Sequence, residues 1–175
     1  MRILLFVFLS FTFAGALMAE SLTAEQKAAV DAKLTALKAW GSAPEVVAAV
    51  KLPPPSWAVA MKEDQWKALS ILSAEVKELS KNALATWIRG KKEAAVSEAF
   101  VSRADGTKVA FLGKTTSWSH KGKPKHEVPM TGKLWIGEVE TDESTGVKQV
   151  QVSFPVLDGS TVIGSVVVGL QLSKL

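Results

Sequence analysis

The chain has 175 residues, 47% of them hydrophobic, with 21 Lys and Arg against 17 Asp and Glu and no cysteine. Without cysteine there is no disulfide framework, thiol nucleophile or thiolate metal site. The formal charge of +4 is spread over lysines interleaved with acids, so the dense basic patch that nucleic-acid binding uses is missing.

Met1 and Arg2 are followed by a nearly unbroken apolar run over 3–19 and then by Glu20. A basic start, a short apolar stretch and small residues at its end form the layout of a signal peptide, assigned to 1–19, and imply a periplasmic protein. Ala14-Gly15-Ala16 offers one cleavage frame and a cut after Ala19 the other. The alternative is retention as an anchor, because the run is near the lower limit of a bilayer span. Ser10, Thr12 and Gly15 within it favour cleavage. No later segment approaches a second span, and what remains is one domain's worth of chain.

Residues 20–63 read as a helical segment. Thr23 stands three residues before Gln26, a capping-box spacing, and Ala28, Val30, Leu34, Leu37 and Trp40 then recur mostly on one helical face until Gly41. A second, short helix fits 44–50, opened by Pro44 and ended by Pro53-Pro54-Pro55. From Asp64 to Arg89 the apolar positions Trp66, Leu69, Leu72, Val76, Leu79, Ala83 and Trp87 predict one long helix, the longest element, stopped at Gly90.

Beyond it the period changes to alternation. Asp105-Gly106 between two apolar segments predicts a hairpin joining a strand around 99–102 to one at 108–112. Further strands fit 134–140, 147–156 and 161–172, with turns at 142–146 and at Asp158-Gly159-Ser160. Helices followed by antiparallel hairpins argue an α+β fold with a five-stranded sheet. The stretch 113–133, rich in Lys, Gly, Pro, His and Trp, reads as a long loop, the kind of segment that carries binding.

Phe100 to Ala110 (FVSRADGTKVA), Lys114 to Ser119 (KTTSWS), Gly137 to Val147 (GEVETDESTGV), Gln151 to Gly159 (QVSFPVLDG) and the tail IGSVVVGL at 163–170 occur together. From residue 65 to the C-terminus the sequence resembles a Cache domain, the PAS-like extracytoplasmic sensor fold, and 64–175 is read as one such domain. The resemblance implies long N-terminal helices on one face of a curved antiparallel sheet and a small-molecule pocket on the other. It also implies sensing of amino acids, amines or small carboxylates. Receptors of that family continue into a membrane helix and a signalling module. This sequence ends at Leu175, so the expectation is ligand binding without a signalling module of its own. The alternative is an accessory protein that docks on a membrane receptor or sensor kinase through an exposed apolar patch around Trp57 and Met61, with no ligand.

Alternation along the strands locates the candidate site. Val150, Val152, Phe154 and Val156 share one face of their strand and suit a helix-covered core, while Gln149, Gln151 and Ser153 share the other. In the last strand Ser165 and Gln171 fall on the smaller, more polar side. Aligned with Gln151 and Ser153 they make either a polar pocket or an ordinary solvated face. Trp118 sits where the resemblance places an aromatic near the pocket, and either walls it or plugs the end of the sheet. His120 and His126 lie in the same loop. They lack a third ligand at suggestive spacing, so no metal is expected. Lys123 and Lys125 suit a carboxylate ligand and Glu138 and Glu140 an amine, with Trp135 on the face opposite Glu138. The candidate ligand-binding set is therefore Trp118, His120, Lys125, Glu138, Gln149, Gln151, Ser153 and Ser165. Trp40, Trp66 and Trp87 read as core. No nucleophile elbow, phosphate-cradling loop, zinc-protease helix or haem motif is present, so neither an enzyme nor a cofactor is expected.

Overall fold

The computed structural model describes residues 21–142 and 146–175; the segment 1–19, expected to be a signal peptide, and part of the turn expected before Val147 lie outside the described residues. Among the described residues no helix is long and apolar enough to cross a membrane.

Helix α1 runs Ala24–Lys38 and begins where the capping box predicts: Thr23 Oγ1 accepts from Gln26 N at 3.2 Å while Gln26 Oε1 accepts from Thr23 N at 3.0 Å. Its buried positions Val30, Leu34 and Leu37 face the sheet, and a 3-10 turn carries Trp40 in beside them. Helix α2 (Pro44–Lys51) adds Val46 and Val50 to the same layer.

The long helix expected over 64–89 is not formed. In its place stand α4 (Glu63–Ala68), α5 (Ala74–Lys81) and α6 (Ala83–Lys91), preceded by α3 (Ser56–Ala60). Short polar side chains that bond their own backbone cause the breaks. Ser70 Oγ accepts from Leu72 N, and Ser73 Oγ donates to Ser70 O at 2.6 Å, closing a turn. That turn leaves Ile71 and Leu72 exposed. Asn82 ends α5 with ψ at 173° and caps α6, its Oδ1 accepting from Ala85 N at 2.8 Å and its Nδ2 donating to Val109 O at 2.9 Å. The apolar period spans the breaks because each short helix buries its own face.

The strands are β1 (Val96–Arg103), β2 (Lys108–Phe111), β3 (Trp135–Thr141), β4 (Lys148–Asp158) and β5 (Thr161–Gln171), in the antiparallel order β2-β1-β5-β4-β3. Residues 113–133 are not a plain loop: Pro124–Met130 forms helix α7, which packs on β3, β4 and β5.

Both faces of the sheet are covered. On the first, Val101, Val150, Val152, Phe154, Val156, Val166, Val168 and Leu170 meet α1, α2 and α6 in the main core. On the second, Phe100, Phe111 and Val167 meet Ala58, Trp66, Val76, Leu79 and Trp118 in a separate core. Trp57 and Met61 pack against this second cluster and are half-buried, while Val59 between them is exposed. Trp66 is fully buried and donates from Nε1 to Thr115 O at 2.8 Å.

Replacing Asn82 by Ala removes the α6 cap and the bond to Val109 together. It is expected to lower stability by about 1–2 kcal/mol, read from urea denaturation. Ile71→Ser, on the exposed turn, is expected to leave the urea midpoint unchanged.

Candidate functional site

The second face reads as rows across the strands. Ser102 pairs with Lys108 and Ser165; Phe100 with Phe111 and Val167, and Val167 with Ser153; Glu98 with Gly169 and Gly169 with Gln151; Gln149 with Gln171 and Glu140. Ser165 and Gln171 do share the face of Gln151 and Ser153, but in different rows, Ser165 lying opposite Pro155 and Gln171 opposite Gln149. A bulge between Ile136 and Val139 sets them opposite the core-facing Val152 and Val150, and it leaves Trp135 and Glu140 on the second face.

Most of this polar surface is buried, so its groups bond one another. Gln149 Nε2 and Gln151 Nε2 both donate to Glu98 Oε1, the first at 2.6 Å, and Ser97 Oγ donates to Gln149 Oε1. Lys125 Nζ donates to Gln151 Oε1 at 2.6 Å. Gly169 makes this ladder possible. A Cβ there would lie 2.2 Å from Gln149 Oε1 and 2.7 Å from Glu98 Cγ.

Above the ladder is a cavity of about 240 Å³. Glu98, Gln151 and Phe100 line it from the sheet, Glu140, Thr141 and Asp142 from β3 and beyond, and Thr115, Thr116, His120, Lys123 and Lys125 from the segment that closes over it. Two anchors hold that segment to α4: Glu63 Oε2 accepts from Trp118 N at 3.0 Å, and Trp66 bonds Thr115. At its other end His126 Nε2 donates to Ala104 O at 3.2 Å, so Nδ1 accepts from Ser165 Oγ at 2.8 Å.

Of the residues singled out by sequence, His120, Lys125 and Gln151 line the cavity and Gln149 supports its floor. Ser165 anchors α7 through His126, and Ser153 is fully buried with an unpartnered hydroxyl. Trp118 does not stand in the cavity wall. It is packed in the second core against Trp66 and Trp57, with ring centroids 5.0 and 5.5 Å away. Glu138 lies at the bulge, exposed and outside the cavity lining, and Glu140 is the β3 acid that reaches it. Sequence reasoning missed Glu98, Phe100 and Asp142. Glu98 was legible as the lone acid in an apolar strand, which is a weak signal. Among the described residues no group of three or more His, Asp or Glu is placed to hold a metal ion.

Burial raises the Glu98 pKa above its ordinary value, against the lowering effect of the two glutamine bonds. Burial also lowers the Lys125 pKa, partly offset by Glu140 and Glu98. Burial makes both charges costly, and opposite charges close by would relieve that cost.

No protein-family profile and no curated protein matches the sequence. Solved structures do match in fold. The sensory domain of the Campylobacter jejuni chemoreceptor Tlp3 superposes with a TM-score of 0.52 at 9% identity, over 86% of this chain and 57% of that one. A structure of that domain with isoleucine bound gives 0.51 at 10%, over 86% and 56%. The sensor domain of the V. cholerae histidine kinase DctB gives 0.50 at 13%, over 85% and 53%. The chain thus spans somewhat more than half the length of these domains. The architecture is that of the Cache, PAS-like sensor domains, an α+β fold on a five-stranded antiparallel sheet.

Two predictions follow from this geometry. Gly169→Ala is expected to cost about 1–3 kcal/mol by overpacking, measured by chemical denaturation. Glu98 takes up a proton more readily folded than unfolded, so its contribution to stability is present below pH about 4.5 and is lost as pH rises through the raised value. Glu98→Gln, which still accepts both amide bonds, should therefore match the parent in acid and exceed it in stability at neutral pH.

Proposed function

We propose that this chain is an exported, periplasmic binding and sensing domain of Cache type, with residues 64–175 as its sensor unit. It holds a small zwitterionic metabolite of amino-acid kind in the cavity beneath Thr115, His120 and Lys125. The observation that carries this reading is the pairing of opposite charges in one small, half-enclosed space. Glu98, Glu140 and Asp142 stand with Lys123 and Lys125 around a cavity of about 240 Å³. A carboxylate ligand group suits the lysines and an ammonium group suits the acids, and both relieve charges held out of water. The Phe100 ring, stacked on His120 with centroids 4.8 Å apart, offers an apolar surface for a short side chain. The isoleucine bound to the Tlp3 domain supports the same ligand class.

Calorimetry and thermal denaturation against a panel of α- and ω-amino acids, with matched carboxylates and amines, test the reading. A zwitterion present at about a hundred times its Kd stabilises the fold by about 2.7 kcal/mol. Glu98→Gln and Lys125→Met should each weaken its binding about tenfold or more, the loss of one charged hydrogen bond. No shift from any member of the panel would overturn it.

A further inference from the structure

Lys108 is the only Lys, Arg, Asp or Glu in the fully buried class among the described residues, at 1% exposure. Ion pairs among those residues are Lys27 with Asp31, Lys33 with Glu93 and Lys51 with Asp158, so none of the described carboxylates pairs directly with Lys108, and Glu63 and Asp105 act on it only from a distance. Its Nζ lies 2.5 Å from His120 Nδ1, 3.3 Å from Ser102 Oγ and 3.4 Å from the Gly106 carbonyl oxygen. It also stands 4.9 Å from the centre of the Phe100 ring. Burial pushes the Lys108 pKa well below its ordinary value, with Lys125 and Lys123 acting in the same direction against Glu63 and Asp105. As an ammonium, held over the Phe100 ring, it has three N–H groups and no lone pair, and the carbonyl oxygen only accepts. In that form three donors face three acceptors, and the ring nitrogen nearest the amine is the unprotonated one.

His120 is held hard in this position. Its backbone N donates to Gly106 O at 3.0 Å, and its ring lies nearly parallel to Phe100 at 14°. The turn that presents Gly106 has φ at +84°, and a Cβ there would meet Lys121 N at 2.4 Å, so only glycine fits. Burial first, and the Lys108 charge next, push the His120 pKa far below its ordinary value, with Lys125, Lys123 and His126 acting in the same direction. The imidazole is therefore neutral and has one ring proton to place. Among the described residues the other ring nitrogen, Nε2, makes no hydrogen bond, and it belongs to a side chain that lines the cavity.

We propose that Lys108 is a positioning residue that fixes His120 as its Nε2–H tautomer, so that His120 presents a hydrogen-bond donor to an anionic or carbonyl oxygen of the bound molecule. The inference rests on the binding role of the cavity and adds an orientation to it. The oxygen-bearing end of the ligand lies against His120, where the nearby lysines also favour it. The end carrying N–H groups lies toward Glu98, and a ligand offering only donors at His120 is rejected because no acceptor meets it there.

Nitrogen-15 NMR of the ligand-free protein reads the tautomer directly, with His120→Gln separating the signals of the two histidines. At neutral pH the expected pattern for His120 is an unprotonated Nδ1 and a protonated Nε2. An Nδ1–H form or an imidazolium overturns the proposal whatever the variants do. In Lys108→Met, with the fold confirmed by near-ultraviolet circular dichroism, the single tautomer should give way to a mixture; an unchanged Nε2–H form removes Lys108 from the role. Acetate, used as a probe, should shift the Nε2–H proton resonance while methylammonium leaves it in place, and no movement with acetate overturns the donor role. Failure here with amino-acid binding intact sinks only this inference. A fixed Nε2–H tautomer that responds to acetate, in a protein that binds none of the panel, supports it and counts against the zwitterion reading.

Discussion

A buried polar atom must find a hydrogen bond or cost the fold on the order of 1–3 kcal/mol, and the second face of β4 and β5 places several such atoms out of water. Gln149, Gln151, Ser153 and Ser165 are all in the buried class. Apart from Ser153, whose hydroxyl is unpartnered, the surrounding chain is arranged around their partners. Glu98 receives both glutamines, Lys125 reaches Gln151 from α7, and His126 reaches Ser165 from the same helix. Gly169 supplies the room. The segment over 113–133 is held in place largely because its polar side chains complete bonds that the strands leave open, and a cavity survives where that cover and the sheet do not meet.

The two faces solve different problems. The first is an aliphatic layer, in which valines of the central strands pack on α1, α2 and α6 by burial alone. The second is divided along its length. The β2-β1-β5 side carries an aromatic cluster of Trp57, Trp66, Trp118, Phe100 and Phe111 under α3 to α5. The polar ladder runs from Ser97 and Glu98 of β1 across Gly169 to Gln149 and Gln151 of β4, beside α7. Phe100 and His120 lie at the join. One face of the Phe100–His120 pair belongs to the cavity and its other neighbours are Lys108 and the aromatic cluster. A change in how the cavity is filled therefore bears on a packed core and a buried lysine through direct contacts.

Fold likeness and site chemistry answer separate questions. The likeness to chemoreceptor and histidine-kinase sensor domains fixes the architecture, at identities of 9–13%. Those identities transfer no residue roles. The proposed ligand class rests instead on the acids and lysines that the cavity brings together and on the direction in which burial moves the pKa values of Glu98 and Lys125.

The sequence determined whatever depends on neighbours along the chain. The capping box at Thr23, the Asp105-Gly106 turn, the strand pattern after residue 95 and the division of β4 into a valine face and a glutamine–serine face all follow from local rules of period and turn chemistry. His120, Lys125 and Gln151, which alternation and loop position mark in the sequence, are the residues of that reading that line the cavity. Tertiary structure decided the rest. The break of the 64–89 stretch at Ser70–Ser73 and Asn82 turned on side-chain bonds, one of them to distant Val109, which apolar period does not see. Trp118 went to the core because two other tryptophans, more than fifty residues earlier in sequence, were waiting there. Glu140, not Glu138, reached the cavity because a bulge shifted the register of β3. Lys108 beside His120 is legible in no spacing at all: a lysine in a strand reads as solvated, and only the chain folding over it makes it a buried donor.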